Sequence, residues 1–326
     1  MRMQLIQGDA LEGASSGAET VNAAAACAAQ VWPEQRSVKM WDGEVSLLAW
    51  EQADARAPSL HFAHANGFNA LTYRSMLDGL AGEFRIYASD LRGHGQTTLA
   101  ANPKGMRTWL IYRDDILRIL QELDGRPKIL AGHSMGATAS LLAAAAKPSW
   151  VRGMVLVEPV IVSPRTSRWM GVMRRLGLID RAFPMVAQAK RRRGIWPSRH
   201  AMFQAYRGRG AFRTWPEDVV RDYITGGSVD YIDDRQVRLA CTPGWEAANY
   251  RAGPPNIWPE LSKLRCPITL IVGEKRSTCP PEIVQMLAAR NPAIRVVNVP
   301  EASHFLPMEY PAVVQREIRA MAGLSD

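Results

Sequence analysis

The chain has 326 residues, of which 47% are hydrophobic and 22% charged, and its formal net charge at pH 7 is +9. A chain of this size and composition can bury a large core, which predicts one large globular domain with or without an insertion. No apolar stretch approaches the roughly 20 residues needed to cross a bilayer, so we expect no transmembrane helix. The four cysteines show neither metal-ligand spacing nor a disulfide pattern, which predicts free thiols and no metal site.

The first 35 residues are rich in Ala, Gly, Ser and Glu and have no sustained apolar face. This composition predicts a flexible N-terminal extension over residues 1–35. Acidic Asp9, Glu12 and Glu19 outweigh Arg2 here, which is the opposite of the charge of a signal peptide. Cytoplasmic localisation is therefore the expectation.

After the extension, the pattern alternates between strands and helices. Two short runs around Asp42-Gly43 predict a hairpin over residues 37–50. Segments long enough for crossover helices separate most of the apolar runs that follow, which predicts an α/β fold with a mostly parallel, doubly wound sheet. The predicted strands of this sheet are residues 60–63, 85–88, 128–131, 154–157, 268–272 and 295–299. Residues 281–290 and 311–321 carry apolar residues at helical spacing and predict helices that cover the sheet.

The strand pattern disappears for about a hundred residues after Glu158. We therefore predict a mostly helical cap over residues 161–253, inserted into a core formed by residues 36–160 and 254–326. The cap holds sixteen arginines and one lysine against eight acidic residues, so its net charge of +9 equals that of the whole chain. This charge suggests attraction to an acidic substrate, an anionic acyl carrier or an anionic membrane surface, although a solvated face is the default interpretation. Nucleic acid is not expected as a partner, because the basic residues lie in no known nucleic-acid-binding motif.

The motif with the clearest chemistry is the sequence G-H-S-M-G at residues 132–136. An apolar strand precedes it and an alanine-rich helix follows, as in a nucleophile elbow. On so sharp a turn the hydroxyl of Ser134 stands clear of the sheet, and the backbone N–H groups that follow are free to bind an anion. Gly132 and Gly136 are needed because a Cβ at either position would strike the neighbouring strand or helix.

The elbow, the strand pattern and the inserted cap together resemble the α/β-hydrolase superfamily, over about residues 37–326. By resemblance, the segment H-A-N-G-F at residues 64–68 is the oxyanion loop, with two inserted residues. The resemblance implies that the backbone N–H groups of Phe68 and Met135 stabilise the oxyanion, with the first donor uncertain by one residue. The segment D-L-R-G-H-G at residues 90–95 resembles the family's D-x-R-G-x-G turn, which braces the loops.

The general base must be a histidine that follows Ser134 in the sequence, which leaves His200 and His304. His304 comes just after the last predicted strand, where the family places its catalytic histidine. His200 lies in the cap and is interpreted as a surface residue or, at most, a substrate contact. The four histidines ahead of the serine are interpreted as structural residues of loops: His61, His64, His94 and His133.

The acid that orients the histidine departs from the family pattern. Where the family usually has aspartate after the strand at 268–272, this chain has Arg276. Glu158 follows another strand, at the sheet edge where catalytic groups gather, and is the preferred candidate, with Glu274 as the alternative. Some haloalkane dehalogenases, which share the superfamily, look similar in placing their acid there. The serine nucleophile argues against their alkyl-enzyme chemistry.

These residues predict a serine hydrolase, esterase-like or lipase-like (EC 3.1.1), that forms an acyl-enzyme and requires no cofactor. The same triad would also serve carbon–carbon bond hydrolysis, lactone or thioester hydrolysis, or perhydrolysis. A non-catalytic ligand-binding module is the alternative of another class. The expected partner is a small molecule, acidic or aromatic, because the cap is basic and its aromatic residues form either a pocket or the cap's own core. These aromatic residues are Trp169, Trp196, Phe203, Tyr206, Phe212, Trp215, Trp245 and Tyr250.

Overall fold

The computed structural model describes residues 32–123, 126, 128–232 and 235–324. Residues Pro33–Asp326 form one compact unit. Most of the predicted N-terminal extension lies outside the described residues. The first strand begins at Glu34, so it includes the last two residues of the range predicted for the extension.

The strands of the described chain alternate with helices, as the sequence predicts. The strands are β1 Glu34–Met40, β2 Gly43–Trp50, β3 Ser59–Ala63, β4 Arg85–Ser89, β5 Lys128–His133, β6 Val151–Val157, β7 Ile195–Trp196, β8 Ser228–Tyr231, β9 Gln236–Leu239, β10 Ile268–Lys275 and β11 Ile294–Ser303. The helices are α1 Arg74–Asp78, α2 Leu110–Glu122, α3 Met135–Ala146, α4 Pro164–Arg175, α5 Ile179–Ala182, α6 Pro184–Lys190, α7 Arg199–Tyr206, α8 Glu217–Gly227, α9 Pro243–Ala252, α10 Pro281–Arg290, α11 Leu306–Glu309 and α12 Pro311–Ala322.

Within the described ranges, eight strands form one sheet in the order β1-β2-β4-β3-β5-β6-β10-β11. Strand β2 runs antiparallel to β1 and β4, and the other neighbours are parallel. Successive strand residues enter two different hydrophobic cores: Leu130 and Met154 lie in one, Ile129 and Val155 in the other. Helices α2, α3 and α10 contribute to the first core, and α1 and α12 to the second. The mostly parallel, doubly wound α/β fold is therefore confirmed.

The segment between β6 and β10 contains helices α4 to α9, in line with the mostly helical cap that the sequence predicts. It also contains a small antiparallel sheet in the order β7-β9-β8, which the sequence analysis did not predict. These strands escape notice because they are only two to four residues long and therefore show hardly any alternation. Helix α9 ends at Ala252, and Gly253 then adopts a φ of +58°. The boundaries at residues 161 and 253 stay predictions.

Strand β5 passes into helix α3 through a sharp turn centred on Ser134, whose φ is +56° and ψ is −118°. This backbone conformation is strained for a residue with a side chain. The turn fits because its neighbours are glycines: a Cβ on Gly136 would lie 2.2 Å from the carbonyl oxygen of Ala63, and one on Gly132 would lie 2.8 Å from the amide nitrogen of Ala137. The glycines thus bring α3 close against β3 and β5.

We expect Gly136→Ala to lower the free energy of unfolding by about 3 kcal/mol, because its Cβ meets rigid backbone that cannot move aside. Gly171→Ala in α4 is the matched control, since no atom lies within 4 Å of its added Cβ. That control should stay within about 1 kcal/mol of the wild type, in the stabilising direction. Urea denaturation measures both. Equal stabilities of the two variants would show that the elbow tolerates the extra methyl group.

Candidate active site

Ser134 stands at the carboxyl edge of the sheet, where the elbow holds it by its backbone. Its N–H donates to the carbonyl oxygen of Val157 at 2.9 Å, which ties the turn to the end of β6. Its side-chain hydroxyl forms no hydrogen bond with any other described residue. A serine hydroxyl on a strained turn, with no structural partner, is free to react with a ligand.

His304 follows β11 and is joined to Glu158 at the end of β6. The Nδ1 atom of His304 lies 3.1 Å from Oε2 of Glu158, and the side-chain hydroxyl of Thr278 lies 3.4 Å from the same nitrogen. Because a carboxylate only accepts hydrogen bonds, this contact places the imidazole proton on Nδ1. The other ring nitrogen, Nε2, has no partner in the described part of the chain. It is left available as a base.

His133, next to the serine, fixes the backbone of His304. Its Nε2 donates to the carbonyl oxygen of His304 at 2.7 Å, and its Nδ1 accepts from the Tyr73 hydroxyl at 2.8 Å. The Tyr73 hydroxyl in turn accepts from the N–H of Ala65 at 3.2 Å. Burial lowers the pKa of His133 well below its usual value, so this histidine is neutral. The interpretation of His133 as a structural histidine agrees with these contacts, and the sequence alone did not show that it holds His304.

Glu158 is completely buried, with five hydrogen-bond donors around its carboxylate among the described residues, the weakest being the Thr278 hydroxyl at 3.4 Å from Oε2. Oε1 accepts from the N–H of Gly273 at 2.7 Å and from the Ser277 hydroxyl at 2.8 Å. Oε2 accepts from the N–H of Thr278 at 2.9 Å and from His304. Burial raises the pKa of Glu158, but the hydrogen bonds from His304 and Gly273 outweigh it and hold the pKa below the usual value of 4.5. Glu158 is therefore ionised at neutral pH.

The loop in which the family usually carries its aspartate serves a different purpose in this chain. Gly273, Ser277 and Thr278, which donate to Glu158, all lie in or next to it. Glu274, the alternative acid, is exposed and accepts from the N–H of Glu301 on β11 at 3.0 Å. The structure thus brings Glu158 to His304 and turns Glu274 away from it.

Most N–H groups between Ala65 and Phe68, in the loop after β3, already have hydrogen-bond acceptors within the protein. The Phe68 N–H donates to the carbonyl oxygen of Ala65 at 3.1 Å, and the Gly67 N–H donates to Nε2 of His94 at 3.0 Å. Between Ala65 and Phe68, only the N–H of Asn66 lacks a partner among the described residues. The N–H of Phe68, the expected first oxyanion donor, is therefore engaged in a turn that the inserted residues close, and its role as a donor to the oxyanion stays a prediction. The N–H of Met135, the other expected donor, has no partner in the described ranges.

The cap holds this loop from above through side-chain contacts. Asn66 donates through Nδ2 to the carbonyl oxygen of Glu246 at 3.2 Å, and its Oδ1 accepts from Nδ2 of Asn249 at 2.9 Å. The Tyr223 hydroxyl donates to the carbonyl oxygen of Gly67 at 3.2 Å. These three contacts from α8 and α9 hold the loop in place, and with it the Asn66 N–H, which has no partner among the described residues.

Comparison with known proteins agrees with this architecture. Residues 62–317 match the family model described as the alpha/beta hydrolase family. This chain is a member of the alpha/beta hydrolase family. A curated relative, 2-(acetamidomethylene)succinate hydrolase of Mesorhizobium japonicum, is 24% identical over 278 residues, which are 85% of this chain and 91% of that protein. The mouse monoglyceride lipase is 27% identical over 130 residues, 38% of this chain and 42% of the lipase.

Solved structures show the same fold as this alpha/beta hydrolase. The crystal structure of E-2-(acetamidomethylene)succinate hydrolase superposes with a TM-score of 0.74 at 21% identity, covering 89% of this chain and 99% of that one. A thioesterase domain from the curacin biosynthetic pathway superposes with a TM-score of 0.68 at 19% identity, covering 88% and 98%. At these identities, the likeness establishes the fold and leaves the substrate open.

The turn at residues 90–95, which the sequence predicts to brace the loops of this alpha/beta hydrolase, forms such structural contacts. Arg92 is buried and forms two hydrogen bonds with Asp115, at 2.8 and 2.9 Å, and an ion pair with Asp42. Asp90 accepts from the N–H of Ala70 at 2.8 Å, and burial raises its pKa to about 6. These contacts tie the loops after β3 and β4 together below the site.

An aromatic cluster lies beside the candidate triad of this alpha/beta hydrolase. The Phe68 ring stacks on Phe305, the residue after His304, with centroids 6.2 Å apart. Trp215 and Tyr223 from the cap meet Phe68 edge-on at 5.4 and 5.6 Å. The indole N–H of Trp215 is buried with no hydrogen-bond partner in the described part of the chain. Of the eight expected cap aromatics, Trp215 is the one in ring contact with both Phe68 and Phe305, at 5.4 and 5.5 Å between centroids.

Of the other expected cap aromatics, Phe212 packs on Trp215, with ring centroids 4.9 Å apart, and Tyr250 interacts with Asn66 of the oxyanion loop. Trp245 donates to the carbonyl oxygen of Arg92 in the brace, Trp196 packs on Tyr206, and Trp169 is exposed. Within the described ranges, no group of three or more His, Cys, Asp or Glu side chains is placed to hold a metal ion. Cys241, Cys266 and Cys279 are free and buried. Among the described helices, none combines the length and apolarity that a membrane span requires.

Proposed function

We propose that this protein is a serine hydrolase in which Ser134, His304 and Glu158 form the catalytic triad. The observation that carries the proposal is the contact of 3.1 Å between His304 and the buried, ionised Glu158. The strained elbow of Ser134 is tied to the same histidine through its neighbour His133, which donates to the carbonyl oxygen of His304. Serine is a weak nucleophile unless a neighbouring base takes its proton, and an imidazole held by a carboxylate is such a base.

In the proposed reaction, Nε2 of His304 takes the hydroxyl proton while Oγ of Ser134 attacks the carbonyl carbon of the substrate. The negative charge that develops on the carbonyl oxygen is held by the N–H groups of Asn66 and Met135, the unbonded donors of the two loops. The intermediate collapses to an acyl-enzyme, and the leaving group takes the proton from His304. Water deprotonated by His304 then attacks the acyl carbon, which releases the acid and restores Ser134.

The proposed substrate is a small acyl compound that carries a carboxylate. A Cβ on Gly67 would lie 3.1 Å from the carboxylate of Glu246 and 3.4 Å from Nη1 of Arg192, so both partners of this ion pair sit against the oxyanion loop. Arg192 donates to Glu246 at 2.5 Å and to the Tyr223 hydroxyl at 2.8 Å. Arginine has five N–H donors, so these two contacts leave others for a ligand. The relative from Mesorhizobium japonicum is named for a succinate, which is a dicarboxylate.

Active-site labelling tests the triad directly. A fluorophosphonate probe phosphonylates only a serine that an adjacent base has activated. We expect labelling of the wild-type protein at Ser134 by peptide mass mapping, and no labelling of Ser134→Ala. A folded wild-type protein that binds small ligands but resists the probe would favour the non-catalytic binding module instead. Esters, thioesters, lactones and a vinylogous diketone, assayed side by side, would then rank the bonds that the triad cleaves.

Salt dependence tests the preference for acidic substrates. Residues 161–253 carry a net charge of +9, and a positive field around a site raises the encounter rate of an anion. We therefore expect kcat/KM for a carboxylate-bearing ester to fall more steeply with added salt than kcat/KM for a neutral ester of similar size. The two esters are compared in one buffer series. Parallel curves would contradict a role of the cap's charge in substrate capture.

A further inference from the structure

Helix α4, the first helix of the cap, exposes large apolar side chains that pack on no core. Trp169 is 46% exposed, Val172 is 49% exposed and Leu176, at the end of the helix, is 61% exposed. Leu178, just beyond the helix, and Met185, in α6, are also exposed. Burying one such side chain is worth about 2 kcal/mol, so leaving five in water needs an explanation. We call these five residues the cap apolar patch.

The apolar residues of α4 share one face. At 100° per residue, Trp169, Val172 and Leu176 fall within about 60° of arc. Met170, the buried residue of this helix, points about 100° away from the nearest of them. The helix therefore uses one side to pack on the rest of the cap and presents a separate apolar stripe to the outside. The contact of Trp169 with Phe183, at 5.9 Å between ring centroids, joins this stripe to the segment that carries Met185.

Exposed arginines border the patch. Arg168 and Arg175 lie along one edge of the stripe, Arg165 lies at its N-terminal end, and Arg181 follows in α5. None of these four arginines forms an ion pair with another described residue. Residues 164–193 contain nine basic residues and a single acidic one, Asp180. The patch is therefore an apolar stripe bordered by four arginines that lack counter-ions in the described chain, in a segment of strongly positive net charge.

We propose that α4 and the cap apolar patch bind the surface of an anionic phospholipid bilayer, with the helix parallel to the membrane plane. Interfacial helices have this composition: tryptophan and leucine enter the boundary of the acyl chains, while arginines beside them contact anionic headgroups. Lipid headgroups move laterally, so they can meet arginines at any spacing. The arginines here are spread along both α4 and α5, without the fixed arrangement that a rigid partner would require. The positive charge of the arginines beside the patch attracts the negative headgroup of phosphatidylserine and would repel a cationic partner.

The expected contributions of the arginines and of the apolar side chains to vesicle binding can be given from typical free energies of such contacts. An arginine near an anionic surface strengthens binding about fivefold. An aspartate in place of an apolar residue removes burial and adds repulsion, so two such changes should weaken binding at least tenfold, as an order-of-magnitude figure. Both effects are large enough to measure by vesicle sedimentation.

The experiment measures sedimentation of the full chain with vesicles of phosphatidylcholine, alone or with about one third phosphatidylserine. We expect binding only to the mixed vesicles, and reversal by added salt. Val172→Asp with Leu176→Asp should lower binding at least tenfold, and Arg165→Gln with Arg168→Gln should lower it about twenty-five-fold. Absence of binding to mixed vesicles would overturn the proposal.

Matched controls lie on the core. Trp41→Asp changes a tryptophan that is 90% exposed on the hairpin between β1 and β2, and Lys39→Gln with Arg56→Gln removes two exposed charges. These variants should bind vesicles like the wild type, and equal losses would show that the contact is not specific to the patch. Light scattering adds a further arm, because self-association abolished by Val172→Asp with Leu176→Asp would assign the patch to a second copy of the chain.

Membrane binding and the proposed chemistry are tested separately. The patch variants change no residue of the proposed triad, so their hydrolysis of a dissolved, neutral short-chain ester, which the charge of the cap does not attract, should equal that of the wild type. Ser134→Ala should bind vesicles normally, because the elbow is not part of the patch. Vesicle binding without any hydrolysis would leave this inference in place and refute the proposed function alone.

Discussion

Ser134→Ala is expected to lower the hydrolytic rate by about a million-fold while leaving the fold intact. The rate falls because no acyl-enzyme forms without the serine oxygen. The fold survives because the elbow depends on its glycines and on the bond from the Ser134 N–H to Val157, both of which alanine keeps. Steady-state ester hydrolysis and thermal unfolding, followed by circular dichroism, measure the two halves of this prediction.

The stability of this variant is informative in its own right. Alanine also keeps a φ near +56°, which is unfavourable for any residue with a Cβ, so the strain is unchanged. The melting temperature should therefore remain within a few degrees of the wild type. Retention of more than a few per cent of the wild-type turnover would refute the role of Ser134. Loss of the cooperative transition would show instead that the hydroxyl is structural.

The parts of the fold that could be predicted are those that depend on neighbouring residues in the chain. Strand β5 is a continuous apolar run because both of its faces are buried, and it passes directly into a motif that only a sharp turn accommodates. His304 was predictable for a similar reason, since it follows the last strand of the sheet. The preference for Glu158 came from its place at a strand end, and the structure does bring its carboxylate to His304.

The features that the sequence could not supply depend on residues far apart in the chain. The Phe68 N–H donates within a turn, and that turn is set by Tyr73 and His94 holding the two N–H groups on either side of Asn66. No spacing rule links these residues. The exposure of Trp169 is a second case, because a helical pattern shows which side chains share a face but not whether another element covers that face.

The choice between the two candidate acids yields the sharpest prediction. Glu158→Gln is expected to lower kcat by three to four orders of magnitude, roughly, with little change in KM. Glutamine is nearly the same size, but it brings an N–H2 group into a site that holds only donors. If that group replaces Oε2, it meets the N–H of Thr278 and donates to Nδ1 of His304. The imidazole proton then moves to Nε2, where it blocks the base.

The opposite orientation of the amide introduced by Glu158→Gln also leaves the buried site with unsatisfied hydrogen bonds. The N–H2 group would then face the N–H of Gly273 and the hydroxyl of Ser277, which now donate to Oε1 of Glu158. One buried donor would lose its acceptor, which costs about 1–3 kcal/mol. Glu158→Gln should therefore also melt at a lower temperature than the wild type. Glu274→Gln is the matched control, since its exposed carboxylate accepts only from the Glu301 N–H among the described residues, and it should retain near-normal kcat and stability.

The stability difference between wild type and Glu158→Gln should itself depend on pH. Hydrogen bonds hold the pKa of Glu158 below its usual value of 4.5, so the ionised carboxylate stabilises the folded state at pH above that value. This stabilisation is lost as the pH falls through the lowered pKa, because the folded protein must then bind the proton that the unfolded chain has already taken up. Measured by urea denaturation from pH 7 down to roughly pH 3, the free energies of unfolding of the wild type and Glu158→Gln should therefore converge.

The kinetic comparison also decides between the two acids. A severe loss of kcat in Glu274→Gln beside a near-normal kcat in Glu158→Gln would reverse the assignment. Mild defects in both would mean that a backbone carbonyl or water orients His304.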